Sequence, residues 1–230
     1  MSMPFYVSPE QMMEDRADYA RKGIARGKAL IALSFKQGIL IVAENPSNTL
    51  HKVSEIYDRI AFAGVGKYNE FDQLRIAGVR HADLKGYSFS REDVGARNLA
   101  NEYAQMLGQI FTHEMKPMEV EILVAEISQE SDDIQPQMFH IFYDGTVKDE
   151  TDYAVLGGET ETIIDRFSPN YKKNLTLTKA LAIAVNSLAG DDRELIPDDL
   201  EVAELSVRNG RRAFRRIAGD ELDKLLSKNS

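Results

Sequence analysis

The chain contains no cysteine. That excludes a disulfide framework, thiol catalysis and thiolate metal sites, and it fits a reducing cytosol. No apolar stretch approaches the roughly 18 residues that a membrane helix requires. The first residues, Met-Ser-Met-Pro-Phe-Tyr-Val-Ser, have neither a basic region nor a long apolar one, so they do not read as a signal peptide. His51, His81, His113 and His140 lack metal-ligand spacing, and no metal or cofactor is predicted. There is no Gly-x-Ser-x-Gly nucleophile elbow. Positive charge is also short: 28 Lys and Arg stand against 37 Asp and Glu, for a net charge of −9. A nucleic-acid binder of this charge needs a concentrated basic face. Arg211, Arg212, Arg215 and Arg216 are the one candidate, placed here on a strand. Only Phe214 accompanies them, so a solvated or interface-facing edge is the better reading.

What is present suffices for a real core: 230 residues, 43% hydrophobic. Ser8 is a good helix N-cap, Pro9 suits the first helical position and Gln11 would complete a capping box. Met13, Ala17, Ala20 and Ile24 then share a narrow face, and Gly27 fits just past the helix end. Residues 29–35 and 39–43 are nearly continuous apolar runs around Lys36-Gln37-Gly38. Such runs predict strands covered on both faces. Residues 53–56 and 60–65 repeat the pattern around Tyr57-Asp58-Arg59. Two helices follow, over about 68–82 and from a Ser90 cap onward. Strands are then expected over 120–127, 138–143 and 153–156. Helices near 161–167 and from Thr176, a hairpin across Asn209-Gly210 and a closing helix over about 220–228 complete the order.

This order does not alternate strand and helix. It predicts an α+β fold in which two stacked antiparallel sheets carry helices on both outer faces, a four-layer αββα sandwich. Gly64-Val65-Gly66-Lys67 fits neither a Walker loop nor a dinucleotide fingerprint, and reads as a tight strand-to-helix turn. The acidic pairs Asp132-Asp133, Asp191-Asp192 and Asp198-Asp199 are placed in loops. The residue chemistry alone identifies no active site.

Several segments carry a family resemblance. They are Ser8–Gln11, Arg21–Gly27, Val42–Ser47, Lys52–Arg59, Gly66–Phe71 and Leu99–Gln105. Together they resemble the α subunit of the 20S proteasome in its bacterial, actinobacterial-type form, over nearly the whole chain. The family's catalytic sister, the β subunit, is an N-terminal nucleophile hydrolase whose first strand begins at an exposed threonine, acting with its own α-amine. An Asp and a Lys complete that set. On this chain the three positions fall on Lys28, Glu44 and, on or near it, Glu55. The resemblance therefore implies a non-catalytic, cytoplasmic subunit.

It further implies seven-membered rings that scaffold β rings, with the first helix packing between neighbours. Residues 1–8 would form a gate segment (Ser2, Met3, Pro4, Phe5, Tyr6, Val7 and Ser8), ahead of a single domain over 9–230. Residues 1–8 lack the Tyr-Asp-Arg gate motif of archaeal and eukaryotic α subunits. Lys52 matches the family's pocket lysine, which takes the C-terminal carboxylate of an AAA+ ATPase activator, and Arg26 would line the same pocket. Substrates would be proteins marked by pupylation; no nucleic acid and no membrane is expected as partner. The competing reading is a self-sufficient N-terminal nucleophile hydrolase, released by removal of the preceding residues.

Overall fold

The computed structural model describes residues 8–130 and 133–227. Helix α1 (Pro9–Ala25) leads into β1 (Leu30–Phe35), β2 (Gly38–Glu44), β3 (Val53–Tyr57) and β4 (Ile60–Gly66). Helices α2 (Tyr68–Ser88) and α3 (Ala96–His113) follow, then β5 (Val120–Glu130), β6 (Asp133–Ile141), β7 (Val147–Glu150) and β8 (Tyr153–Leu156). The chain continues through α4 (Thr160–Phe167), α5 (Leu177–Ala189), β9 (Leu200–Ser206), β10 (Phe214–Ile217) and α6 (Asp220–Ser227). One sheet has the order β10-β9-β2-β1-β8, the other β3-β4-β5-β6-β7. Every strand pairing is antiparallel.

The continuous apolar runs have the expected cause. Along β1, Leu30 and Ala32 pack between the sheets, while Ile31 and Leu33 pack under α4, α5 and α6. In the second sheet Ala61 and Ala63 face the inter-sheet core, and Ile60 and Phe62 lie under α2 and α3. Alternate side chains enter different layers, so no position is left for water. Each fully buried Leu or Ile contributes about 1.5–3 kcal/mol relative to exposure.

Helix α1 lies across one end of the sandwich. Ala20 and Ile24 enter the inter-sheet core and Ala17 packs beside them, whereas Met12, Met13 and Tyr19 remain exposed. The Ser8 hydroxyl accepts the Gln11 amide hydrogen at 3.2 Å, as a cap should. The Gln11 side chain instead donates to Asp15, so the reciprocal half of the capping box is not made. Arg16 ties α1 to the C-terminus of α3, donating to the carbonyls of Phe111, Ile110 and Met115 at 2.8, 3.3 and 3.2 Å. Gly64–Gly66 are not a turn but the end of β4, paired with β5, and Lys67 alone leads into α2; Gly66 has φ +95°, and a Cβ there would lie 2.0 Å from the Glu119 carbonyl oxygen.

Several expected boundaries move. Helix α2 runs on to Ser88. Ser90 caps only a 3₁₀ turn over Arg91–Asp93, and α3 begins at Ala96, where Glu126 from β5 accepts the Ala96 amide hydrogen at 2.7 Å. The cap thus comes from another sheet strand, which local sequence cannot show. Asn209-Gly210 does not form a two-residue hairpin turn. Residues 207–213 make the connection, with Leu205 opposite Phe214, so Arg211 and Arg212 lie off the strand. Asp133 opens β6 rather than lying in a loop, while Asp132 falls outside the described residues.

Candidate functional site

The antiparallel pairing of Leu30 with Ala43 sets the start of β1 beside the end of β2. Lys28 and Glu44 meet there, Nζ to Oε1, at 2.7 Å. Glu44 is buried, and Arg193, in the loop after α5, grips its two oxygens at 2.8 and 3.2 Å. Burial pushes the Glu44 carboxyl up, but the hydrogen bonds from Arg193 and Lys28 outweigh it and hold the group below the usual range.

Lys52 immediately precedes β3 and turns its ammonium into the same place. It donates to the carbonyl oxygens of Lys28 at 2.6 Å and Glu44 at 3.1 Å. Burial pulls its pKa down to about 8; the charges of Glu44 and Glu201 oppose that shift and Lys28 adds to it. The segment carrying Lys52 is held by the buried Glu201 of β9. That carboxylate accepts the amide hydrogens of Lys52 at 2.7 Å and Val53 at 3.2 Å, and the Asn45 side-chain amide at 2.8 Å. His51 and Arg216 also reach it.

Three of the singled-out positions, Lys28, Glu44 and Lys52, therefore converge. Glu55 does not join them; its carboxylate pairs with Arg212 from the β9–β10 connection. Arg26 caps the C-terminal end of α1 and is exposed, and its side chain makes no hydrogen bond or ion pair among the described residues. Ser8 is the cap of α1, and gate residues 2–7 lie outside the described residues. The four-arginine cluster is spread over separate carboxylates: Arg211 on Asp58, Arg212 on Glu55, Arg215 on Glu204 and Glu221, and Arg216 on Glu201.

Chemically, the site holds a carboxylate, a lysine amine of lowered pKa and a blocked first position. Residue 28 presents a lysine already paired with Glu44, and its backbone nitrogen is a peptide amide between Gly27 and Ala29. Neither a hydroxyl nucleophile nor a free α-amine stands at the head of β1. Sequence reading missed Arg193, Asn45 and Glu201. Glu201 and Arg193 lie about 150 residues from their partners, and the local signal was a pair of glutamates, 201 and 204, set among Leu200, Val202, Ala203 and Leu205.

Two stacked antiparallel sheets flanked by helices, with the head of β1 at the end closed by α1, define an N-terminal nucleophile hydrolase-type sandwich. The family model described as proteasome subunit matches residues 24–203. The chain is 61% identical over 226 residues to the proteasome subunit alpha of Acidimicrobium ferrooxidans, covering 98% of this chain and 97% of that protein. It is 54% identical over 232 residues to the proteasome subunit alpha of Sanguibacter keddieii, covering 99% and 90%. For that of Thermobifida fusca the identity is 53% over 229 residues, covering 98% and 91%. The chain belongs to the proteasome subunit family, and its similarity is to the α subunits of actinobacteria. Among the described residues, no helix is long and apolar enough to cross a membrane.

Proposed function

We propose that this chain is the non-catalytic outer-ring subunit of a cytoplasmic proteasome core particle. Seven copies form a ring that stacks on β subunits, where peptide-bond cleavage takes place. Residues 1–8 gate the axial pore ahead of one sandwich domain over 9–230. The end closed by α1 docks the C-terminal tails of an AAA+ ATPase ring that delivers pupylated proteins.

The observation that carries the docking role is the Lys52 ammonium. Two of its three donors go to backbone carbonyls, which fix its position and leave one donor for an incoming carboxylate. Arg26, exposed two residues before Lys28, adds a second cation to the same end of the molecule. A charge-assisted hydrogen bond of this kind is worth about 1.5–3 kcal/mol. One such contact binds weakly; several tails on one hexameric ring bind together through effective concentration.

Lys52→Ala tests this directly. Assembly with a β subunit should be retained, while activator affinity, followed by ATPase-dependent proteolysis, falls about tenfold or more. Unchanged activator binding would remove Lys52 from the docking site.

A further inference from the structure

At the end of the sandwich opposite α1, a cleft of about 580 Å³ opens between the β3–β4 turn, the 3₁₀ turn before α3 and the β9–β10 connection. Its walls carry Arg59, Arg91 and Arg211 against the carboxylates of Asp58 and Glu92, with Tyr57 also in the lining. In a chain of net charge −9 this is a place where positive charge is not outnumbered, even with Glu126 3.7 Å from Arg59.

The three arginines are not equally committed. Arg91 is fixed: it reaches the two Asp58 oxygens at 3.0 and 2.6 Å, and its guanidinium carbon sits 4.7 Å from the Tyr57 ring centre. The hydrogen bond from Arg91 holds the Asp58 carboxyl below its usual range, so Asp58 stays ionised and matched to Arg91. Arg211 touches the same carboxylate only through Nε, at 3.3 Å, and its side chain is 72% exposed. Arg59 stands 3.7 Å from Glu126, beyond hydrogen-bond length, and Glu126 already accepts the Ala96 amide hydrogen. Arg59 and Arg211 thus keep most of their donors unused.

We propose that this cleft is a carboxylate-binding site, with Arg59 and Arg211 as its two jaws and the Arg91–Asp58 pair as its fixed base. The acid it takes is an Asp or Glu side chain on a loop of the β subunit. This rests on the reading that the Lys52 end meets the activator. A ring subunit with one end toward the activator turns the opposite end of the same strands toward the ring behind it. Carboxylate is the ligand class because guanidinium forks match its planar geometry. Asp58 and Glu92 in the lining, with Glu126 3.7 Å from Arg59, balance the three guanidiniums, so the cleft suits a planar monoanion and disfavours a phosphate dianion.

The test uses the full chain and a purified β subunit, titrated and followed by sedimentation velocity at low salt. Arg59→Glu with Arg211→Glu should raise the β concentration for half-maximal co-assembly about tenfold or more. Arg211→Lys, which keeps the charge, should give a smaller rise. Both side chains are substantially exposed, and circular dichroism and thermal melting should match the parent. Should the parent not co-assemble with β at all, the outer-ring reading fails, and this site with it. Parental co-assembly matched by the charge-reversed chain would overturn the site alone. So would inorganic phosphate raising the parent's melting temperature while acetate at the same concentration does not.

Discussion

At the scale of single residues, two groups decide what the candidate site can do. Lys52 is drawn below its ordinary value of 10.5, first by burial, to about 8. Below about pH 8 both folded and unfolded chains hold the proton, and the cost of burying the charge is fully present. Between about 8 and 10.5 the unfolded chain still holds a proton that the folded chain has released, so the Lys52 contribution to stability improves with rising pH. Lys52→Met should therefore gain most on the parent below pH 8, and the gap should narrow across that window in urea titrations. Docking has the opposite dependence. A tail carboxylate requires the ammonium, so affinity should fall as pH rises through about 8. Glu201 acts through Lys52, because it holds the backbone on which Lys52 sits. Glu201→Gln keeps the size but removes the charge facing Arg216, and should cost about 2–3 kcal/mol in urea unfolding. A change within about 0.5 kcal/mol, the range of ordinary surface substitutions, would show that the network is dispensable.

At the scale of elements, the contact between α2 and α3 is set by a glycine and a hydroxyl. The Tyr103 side chain of α3 is buried, and its hydroxyl has no hydrogen-bond partner among the described residues. A Cβ added at Gly78 of α2 would lie 1.7 Å from that oxygen. Gly78→Ala should therefore push the helices apart, at about 1–3 kcal/mol in thermal or chemical unfolding. Tyr103→Phe removes the unsatisfied group and should be neutral or stabilising by about 1 kcal/mol. Combined, the two changes should cost less than the sum of their separate effects; strict additivity would show that they do not meet. The same scale explains the misplaced boundaries. Apolar periodicity placed the strands buried on both faces, which leave continuous runs, but it missed the polar edge strand β7 and started β6 at 138 instead of Asp133. Helix α3 and the β9–β10 connection were misjudged because Glu126 and the partners of Arg211 and Arg212 come from distant segments.

At the scale of the whole molecule, the two ends of the sandwich have different chemistry. One gathers Lys28, Glu44 and Lys52 at the head of β1; the other opens an arginine-lined cleft. Under the proposed role, residues 2–8 of neighbouring subunits meet over the pore. Deleting them should speed peptide hydrolysis by an α–β complex severalfold, without changing ring stoichiometry. Equal rates in a peptidase assay would remove the gate assignment. By itself the sequence determined the layer architecture, because apolar runs and helix periods are local consequences of which faces are buried. It also showed, through its resemblance to proteasome α subunits, that no threonine stands at the head of the first strand. Only the tertiary structure decided which charges meet. Glu44 is joined to Arg193 and Lys52 to Glu201 across about 150 residues of chain, and Glu55 is drawn away to Arg212. Those pairings depend on strand register and sheet order, which bring distant carboxylates and cations within hydrogen-bond reach and which no local pattern specifies.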